Sequence, residues 1–322
     1  TDVPAHEPAA KLMHTGSLVL TKPSLGSWVM YGLGTENLSL PGFVTLGGPV
    51  EWRQAAFLPS LFQGAKADFA SNKPVNKVLL NLSNEFSTPD EQKLQLDLLH
   101  KLDDMHMQNS QRDEQLEARI ESFELAFRMQ TAATDAFDIQ KETQATRDRY
   151  GRGEVAAKLL CARRLVERGV RFVQVDAGGW DHHYGLARSI QRSAEAIDQA
   201  AGALIADLKE RGLLDSTLVI WGGEFGRTPT TAGRVDTEAG RDHHSDCFSV
   251  WMAGGGVKGG FAYGATDELG MSVAEKPVHI HDLHATILRL LGFDHTKLTY
   301  RYNGRDFRLT DNYGNVVSDI IA

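Results

Sequence analysis

The sequence predicts an α/β chain in which helices surround a mostly parallel sheet. Helix–glycine–strand units recur in succession after residue 150. Each apolar β-rich run opens directly onto a polar, glycine-rich loop, as strands of an open α/β sheet do where they bind ligands.

In order along the chain, Pro23–Gly32 reads as a short helix with a glycine stop, and Phe43-Val44-Thr45-Leu46 as a short strand. Residues 50–80 are loop-rich. From Pro89 to Lys141 the chain turns polar and helical, with Leu94, Leu98, Leu102 and Met105 at helical spacing, and reads as a helical insertion at about 89–142 within one domain, 1–322. His100 and His106 read as surface residues on it. Val155–Arg168 is a predicted helix, Gly169 its C′ residue and Val170–Val175 a strand. Leu186, Ile190, Ala194, Ile197, Ala201, Leu204, Ile205 and Leu208 form one apolar helix face, stopped by Gly212 and followed by the strand Ser216–Trp221. Phe248–Met252 is a third strand, leading to Gly254-Gly255-Gly256.

Composition narrows the function. The chain has 322 residues, 42% hydrophobic and 24% charged, which excludes a disordered, collagen-like or disulfide-built protein. A net charge of −8, with no Lys/Arg run longer than two, argues against nucleic acid or an anionic membrane as partner. No apolar stretch approaches the ~20 residues of a membrane span. The two cysteines, Cys161 in a helical run and Cys247 in a predicted strand, read as buried thiols. Residue 1 is Thr and no leader pattern follows, so the sequence reads as a mature product or a fragment.

Chemistry concentrates at the strand ends. One run ends in Asp176-Ala-Gly-Gly-Trp180-Asp181-His182-His183, another in Gly222-Gly223-Glu224-Phe225-Gly226-Arg227, and Gly240-Arg241-Asp242-His243-His244 precedes the third. Imidazoles with carboxylates suit Zn²⁺ or Mn²⁺, and carboxylates alone lean to Mg²⁺ or Ca²⁺. Taken singly, Asp181 and His183 could be turn caps and Glu224 an ion-pair partner of Arg227. Together, Asp181, His183, Glu224, Asp242, His243 and His244 at strand ends of one sheet predict a site for one or two divalent ions. Arg227 is placed to grip an anionic ester. His279, His281 and His284 read instead as structural, on a strand end leading into a helix Leu283–Leu291 that Asp282 caps.

Trp180-Asp181-x-His183, Arg211–Pro229, Gly240-Arg-Asp-His243 and Ala253–Gly260, with Ala136-Phe-Asp138, Arg149-Tyr-Gly151 and Ala162–Val166, resemble the DUF1501 family across nearly the whole chain. The resemblance implies membership of the alkaline phosphatase and sulfatase superfamily, an alkaline-phosphatase-like sandwich, export from a bacterium, and metal-dependent hydrolysis of sulfate or phosphate esters. The implied substrate is a small anionic ester or a sulfated or phosphorylated glycan. Glu224 stands where the superfamily's run has a metal-binding Asp, while Phe225, in the next ligand's place, cannot bind metal. Asp181 and His183 match the other metal's Asp/His pair, Asp242, His243 and His244 a late His, and Asp282-Leu-x-x-Thr286 a helix start. Thr15-Gly16 and Pro8 match the segment after the sulfatase nucleophile, which puts His6 in the nucleophile's place, ten residues before Gly16. His6 is therefore a candidate catalytic group with Arg227. The superfamily's first strand and its metal-binding Asp would lie upstream of Thr1, in a missing N-terminal segment. His6 and Phe225 also fit a second reading, a catalytically degenerate binding or assembly module. A third, a non-haem iron enzyme, matches only the ligand types.

Overall fold

A computed structural model describes residues 1–69, 78, 86–109, 114–232 and 238–322. The chain opens with α1 (His6–Thr15), which ends at Gly16 in the left-handed region (φ 66°) and buries Ala9, Leu12 and Thr15. Only glycine fits there, because a Cβ would stand 2.2 Å from the Leu309 carbonyl oxygen. α2 (Leu25–Leu33) is capped by the Ser24 side chain and stops at Gly34, two residues beyond the expected glycine. β1 (Phe43–Leu46) follows, fully buried, then β2 (Ala65–Ala67). Part of the expected loop-rich stretch 50–80 lies outside the described residues. α3 (Pro89–Asn109) and α4 (Glu114–Ala136) form the expected helical hairpin. The stripe Leu94, Leu98, Leu102 and Met105 is exposed on α3. His106 is exposed as read, but His100 meets a carboxylate after all, with Nε2 2.7 Å from Glu124 Oε1 on the facing helix.

α5 (Gln144–Tyr150) and α6 (Glu154–Glu167) lead into β3 (Phe172–Val175). β1 is the middle strand of a parallel three-stranded sheet, β2-β1-β3, in which Phe43 pairs with Phe172 and Leu46 with Val175. The apolar stretch 186–208 is two helices rather than one, α7 (Leu186–Glu195) and α8 (Asp198–Glu210). The break falls at Ala196 and the buried Ile197 (φ −118°), and Asp198 then supplies an acidic first turn to α8. In consequence α7 buries none of the expected apolar face.

β4 (Val219–Trp221), β5 (Gly226–Thr231), β6 (Arg241–His244) and β7 (Trp251–Ala253) correct the expectation of one parallel sheet. β4 pairs with β7, and β5 with β6, both antiparallel. The chain from β4 to β7 reverses through the β5–β6 ribbon, without the helical crossover that parallel pairing requires. The fold is thus mixed α/β, with parallel pairing confined, among the described residues, to the β2-β1-β3 sheet. Cys247 is buried, but lies in the turn after β6 and not in a strand.

β8 (Ala265–Thr266) and β9 (Val273–Glu275) pair as a short ribbon, and α9 (Ile280–Leu290) follows. The α9 cap is His279, whose ring accepts from the His281 backbone N–H. Asp282 is the third helical residue and reaches back to the His279 N–H, completing a capping box. The helix therefore starts earlier than read. β10 (Tyr300–Tyr302) and β11 (Arg305–Phe307) close the chain as a hairpin.

Two cores result. One joins β1, α6 and α8 through Val44, Leu46, Leu160, Leu165, Leu204 and Leu208, and the other gathers Trp28, Val29, Leu58, Leu288 and Leu309.

Candidate functional site

The site is assembled by backbone pairing. After β3, the segment 182–186 runs against 238–241: Tyr184 bridges Ala239, the Arg241 N–H donates to the His182 carbonyl at 2.9 Å, and the Leu186 N–H to Ala239. Gly240 makes this approach possible, since a Cβ would lie 2.0 Å from the His183 carbonyl carbon. β6 then lies beside β5 with His243 opposite Arg227. Successive strand residues face opposite ways, so His243 turns to the site and His244 away from it. His244 is buried, with Nε2 3.2 Å from the Gly270 carbonyl oxygen, outside the cluster in which the sequence put it.

Asp181 is the centre. Its Oδ1 lies 2.5 Å from an Arg227 Nη, 3.0 Å from His183 Nε2, 3.2 Å from His243 Nε2 and 3.3 Å from His6 Nε2. His183 Nε2 and His243 Nε2 are themselves 3.0 Å apart. Desolvation works against the Asp181 charge. The Arg227 and His243 contacts and the charges of Arg227 and His183 outweigh it and hold the carboxyl far below its usual range.

Two of the imidazoles are tied from behind, and a carboxylate stands behind the third. His6 Nδ1 is 2.5 Å from Glu224 Oε1, His243 Nδ1 is 2.8 Å from the Pro4 carbonyl oxygen, and His183 Nδ1 is 3.6 Å from Asp242 Oδ1. A ring that donates its Nδ1 proton outward presents a lone pair at Nε2, the arrangement in which carboxylates and carbonyls orient metal-binding histidines. Here the Nε2 atoms face one carboxylate oxygen and, for His183 and His243, each other. Neutral lone pairs in such contact repel, so the cluster calls for a shared cation or protonated rings. The separations also suit an ion: donors about 2.1 Å from a common metal stand about 3.0–3.4 Å apart. Two triads sharing His243 satisfy ligand spacing, His6–Asp181–His243 and His183–Asp242–His243, each with its ligand atoms within 4.8 Å of one another.

Taken singly, Glu224 reads as an ion-pair partner of Arg227, and in the cluster as a metal ligand. The structure instead gives Glu224 to His6 and Arg227 to Asp181. Arg227 sits on β5, not one turn beyond Glu224. Phe225 packs its ring 4.8 Å from that of His6 and 4.5 Å from that of His243, walling one side of the cluster. His6 opens α1 and joins the cluster as an imidazole among imidazoles. The Pro4 carbonyl went unread, and no side-chain pattern could have shown it. The cluster stays open: the Asp181 side chain is 50% exposed and that of His6 44%.

His279, His281 and His284 lie outside this cluster. His281 Nε2 donates to the Gly16 carbonyl and His284 Nε2 to that of Met13, fastening α9 to the end of α1. Burial, with the neighbouring His284 charge, pushes the His14 imidazole down to about 3. Burial likewise takes His284 to about 4, against the bond to Met13.

No curated protein and no solved structure matches this sequence. A family model does, over residues 1–321, its family being described as a protein of unknown function, DUF1501. With essentially its whole length matched, the chain belongs to the DUF1501 family.

Proposed function

We propose that the protein is a metal-dependent hydrolase of sulfate or phosphate esters. The observation that carries this reading is the convergence of His6, His183 and His243 Nε2 on Asp181 Oδ1, with His6 held from behind by Glu224 and His243 by the Pro4 carbonyl. These four side chains would hold a divalent ion, and three imidazoles with one carboxylate favour Zn²⁺ or Mn²⁺ over Mg²⁺ or Ca²⁺. A bound ion supplies Lewis acidity and an acidified water there. Asp181 contributes a charge that persists through the neutral range. Glu224 fixes the His6 tautomer by accepting the Nδ1 proton. Arg227, 24% exposed and already at the centre, is the group to meet a non-bridging ester oxygen with its fork of donors. Phe225 keeps water from one flank. The parallel pairing of β1 with β3 and the helix ending at Thr15-Gly16 support an alkaline-phosphatase-like reading of the fold. Phe225 favours one competitor: with its ring packed on two of the imidazoles, the cluster could serve a binding module without turnover.

The test is elemental analysis of protein purified without chelators, followed by assay on aryl sulfate and aryl phosphate. The expected result is close to one equivalent of zinc or manganese or more, largely lost in Asp181→Asn, with metal-dependent release of the phenol. A folded protein free of metal would overturn the reading. Bound metal without turnover of either ester would turn it towards the binding module, and Fe(II) binding with oxygen uptake towards an iron enzyme.

A further inference from the structure

A second polar cavity, of about 380 Å³, lies between the start of α9 and the loop 308–315. Its walls include His279, Asp282, His295, Arg308, Asn312 and Tyr313. Arg308 has no carboxylate partner among the described residues: its Nε donates to the Asp311 carbonyl, and its two Nη groups have no partner. His295 is 8% exposed and lines the same cavity. Its Nδ1 is 2.9 Å from the Thr310 hydroxyl, which has no other partner among the described residues, and its Nε2 has none there either. With the hydroxyl donating to Nδ1, the one N–H of the ring stands on Nε2, facing the cavity without an acceptor. Burial first, and then the Arg308 charge, hold this imidazole below its usual range, which favours the neutral ring.

Asp282 is the one carboxylate in the wall, and it is already spent. One oxygen accepts from the His279 N–H, the other from the Asn315 backbone N–H and side-chain amide. The His279 ring is also committed, its Nδ1 to the His281 N–H and its Nε2 to Asp2 Oδ1 at 2.9 Å. The donors without acceptors are therefore the Arg308 guanidinium, the buried His295 N–H and, nearer the mouth, the Asn312 amide and the Tyr313 hydroxyl. A guanidinium and a neutral donor, both without acceptors and facing one half-open cavity, are the environment an oxyanion fits and a cation does not.

We infer that this cavity binds a tetrahedral oxyanion of the phosphate or sulfate type, gripped by Arg308 and His295, at a site separate from the Asp181 cluster. The inference stands on residues outside that cluster and does not depend on the protein being a hydrolase.

Calorimetric titration of the full chain with inorganic phosphate, and separately with inorganic sulfate, tests it. A phosphate monoester as a third arm tells whether the cavity takes a free anion or the anionic end of a larger molecule. The expected result is saturable binding that weakens at least tenfold in Arg308→Gln and in His295→Gln, weakens measurably in the exposed Asn312→Ala, and survives Asp181→Asn. The Asn312 variant serves where either of the others melts early, because that side chain is on the surface. Binding lost in Asp181→Asn but kept in Arg308→Gln would put the anion at the Asp181 cluster and overturn the inference. So would the absence of any heat, or of any anion-induced rise in melting temperature, at millimolar phosphate and sulfate.

Discussion

Two groups of opposite charges sit in this molecule under contrasting conditions. Between α6 and α8, Arg163 is 1% exposed and faces Glu142 at 2.8 Å, Asp207 at 3.0 Å and Glu167 at 2.7 Å. Arg164 shares Glu142, while Tyr150 and Arg211 complete the bonding of Asp207. Every carboxylate there has a guanidinium, and all but the rim is dry. Around Asp181 the balance is different: one carboxylate oxygen is approached by four nitrogens, three of them imidazole, and half of its side chain meets water. The first group is matched charge for charge and holds two helices together. The second has more ligand atoms than its own charges need, and it is open to solvent. Excess donors in an open place mark a site, whereas matched charges in a closed one mark a joint.

The largest expected effect lies at the joint. Arg163→Ala takes from the buried Glu142 and Asp207 the guanidinium they share, leaving each only its outer arginine, Arg164 or Arg211, and should cost about 3 kcal/mol of unfolding free energy by urea titration. The protein that remains folded should keep its metal. Loss of metal without loss of stability would dissolve the distinction drawn above.

Next come the imidazoles, which divide in the same way. His284 is buried and His14 half-buried, with values of about 4 and about 3, against 6.5 unfolded. The unfolded chain takes up their protons first as pH falls, so the stability they contribute is fully present above pH 6.5 and declines as pH drops towards those lower values. For His14 the loss is of order 3 kcal/mol. Urea midpoints measured from pH 7 to 4 should show the decline, and His14→Gln should flatten it.

Smaller effects belong to the site. Glu224→Gln weakens the hold on His6, and metal affinity measured by competition with a chromophoric chelator should fall roughly 10- to 100-fold. The melting temperature of the metal-free protein should barely move. Asp242→Asn, acting on His183 across 3.6 Å, should cost no more than about 10-fold in the same assay. If the order of these two is reversed, the His183–Asp242–His243 triad is the tighter of the two.

Much of this division was legible in the residues. Asp181, His183, Glu224 and His243 lie on the glycine-punctuated runs that chain composition alone marks out. The alternation of β6 would have separated His243 from His244 had Arg241–His244 been read as a strand, but a run of four polar residues carries no apolar signal. The β5–β6 ribbon was hidden for the same reason, being rich in Thr with a Pro, and with it the pairing of Arg227 to Asp181. His6 entered only through resemblance, since nothing local distinguishes it. Exchange of partners between Glu224 and Arg227 is a matter of a few ångströms across separate segments, which no spacing in one dimension encodes.

The contacts that make the centre are also among the most distant in the chain. His6 meets Glu224 across 218 positions, and the Pro4 carbonyl meets His243 across 239. No early, local stage of folding can form them, so the unfolded chain keeps only the local pairs Asp181/His183 and Asp242/His243, not the assembled centre. An ion seated there would clasp α1 to the β5–β6 ribbon and close a loop of more than 200 residues, a constraint worth about 5 kcal/mol in the chain-entropy view of cross-links. The opening helix would then be the part of the molecule whose resistance to protease rises and falls with occupancy.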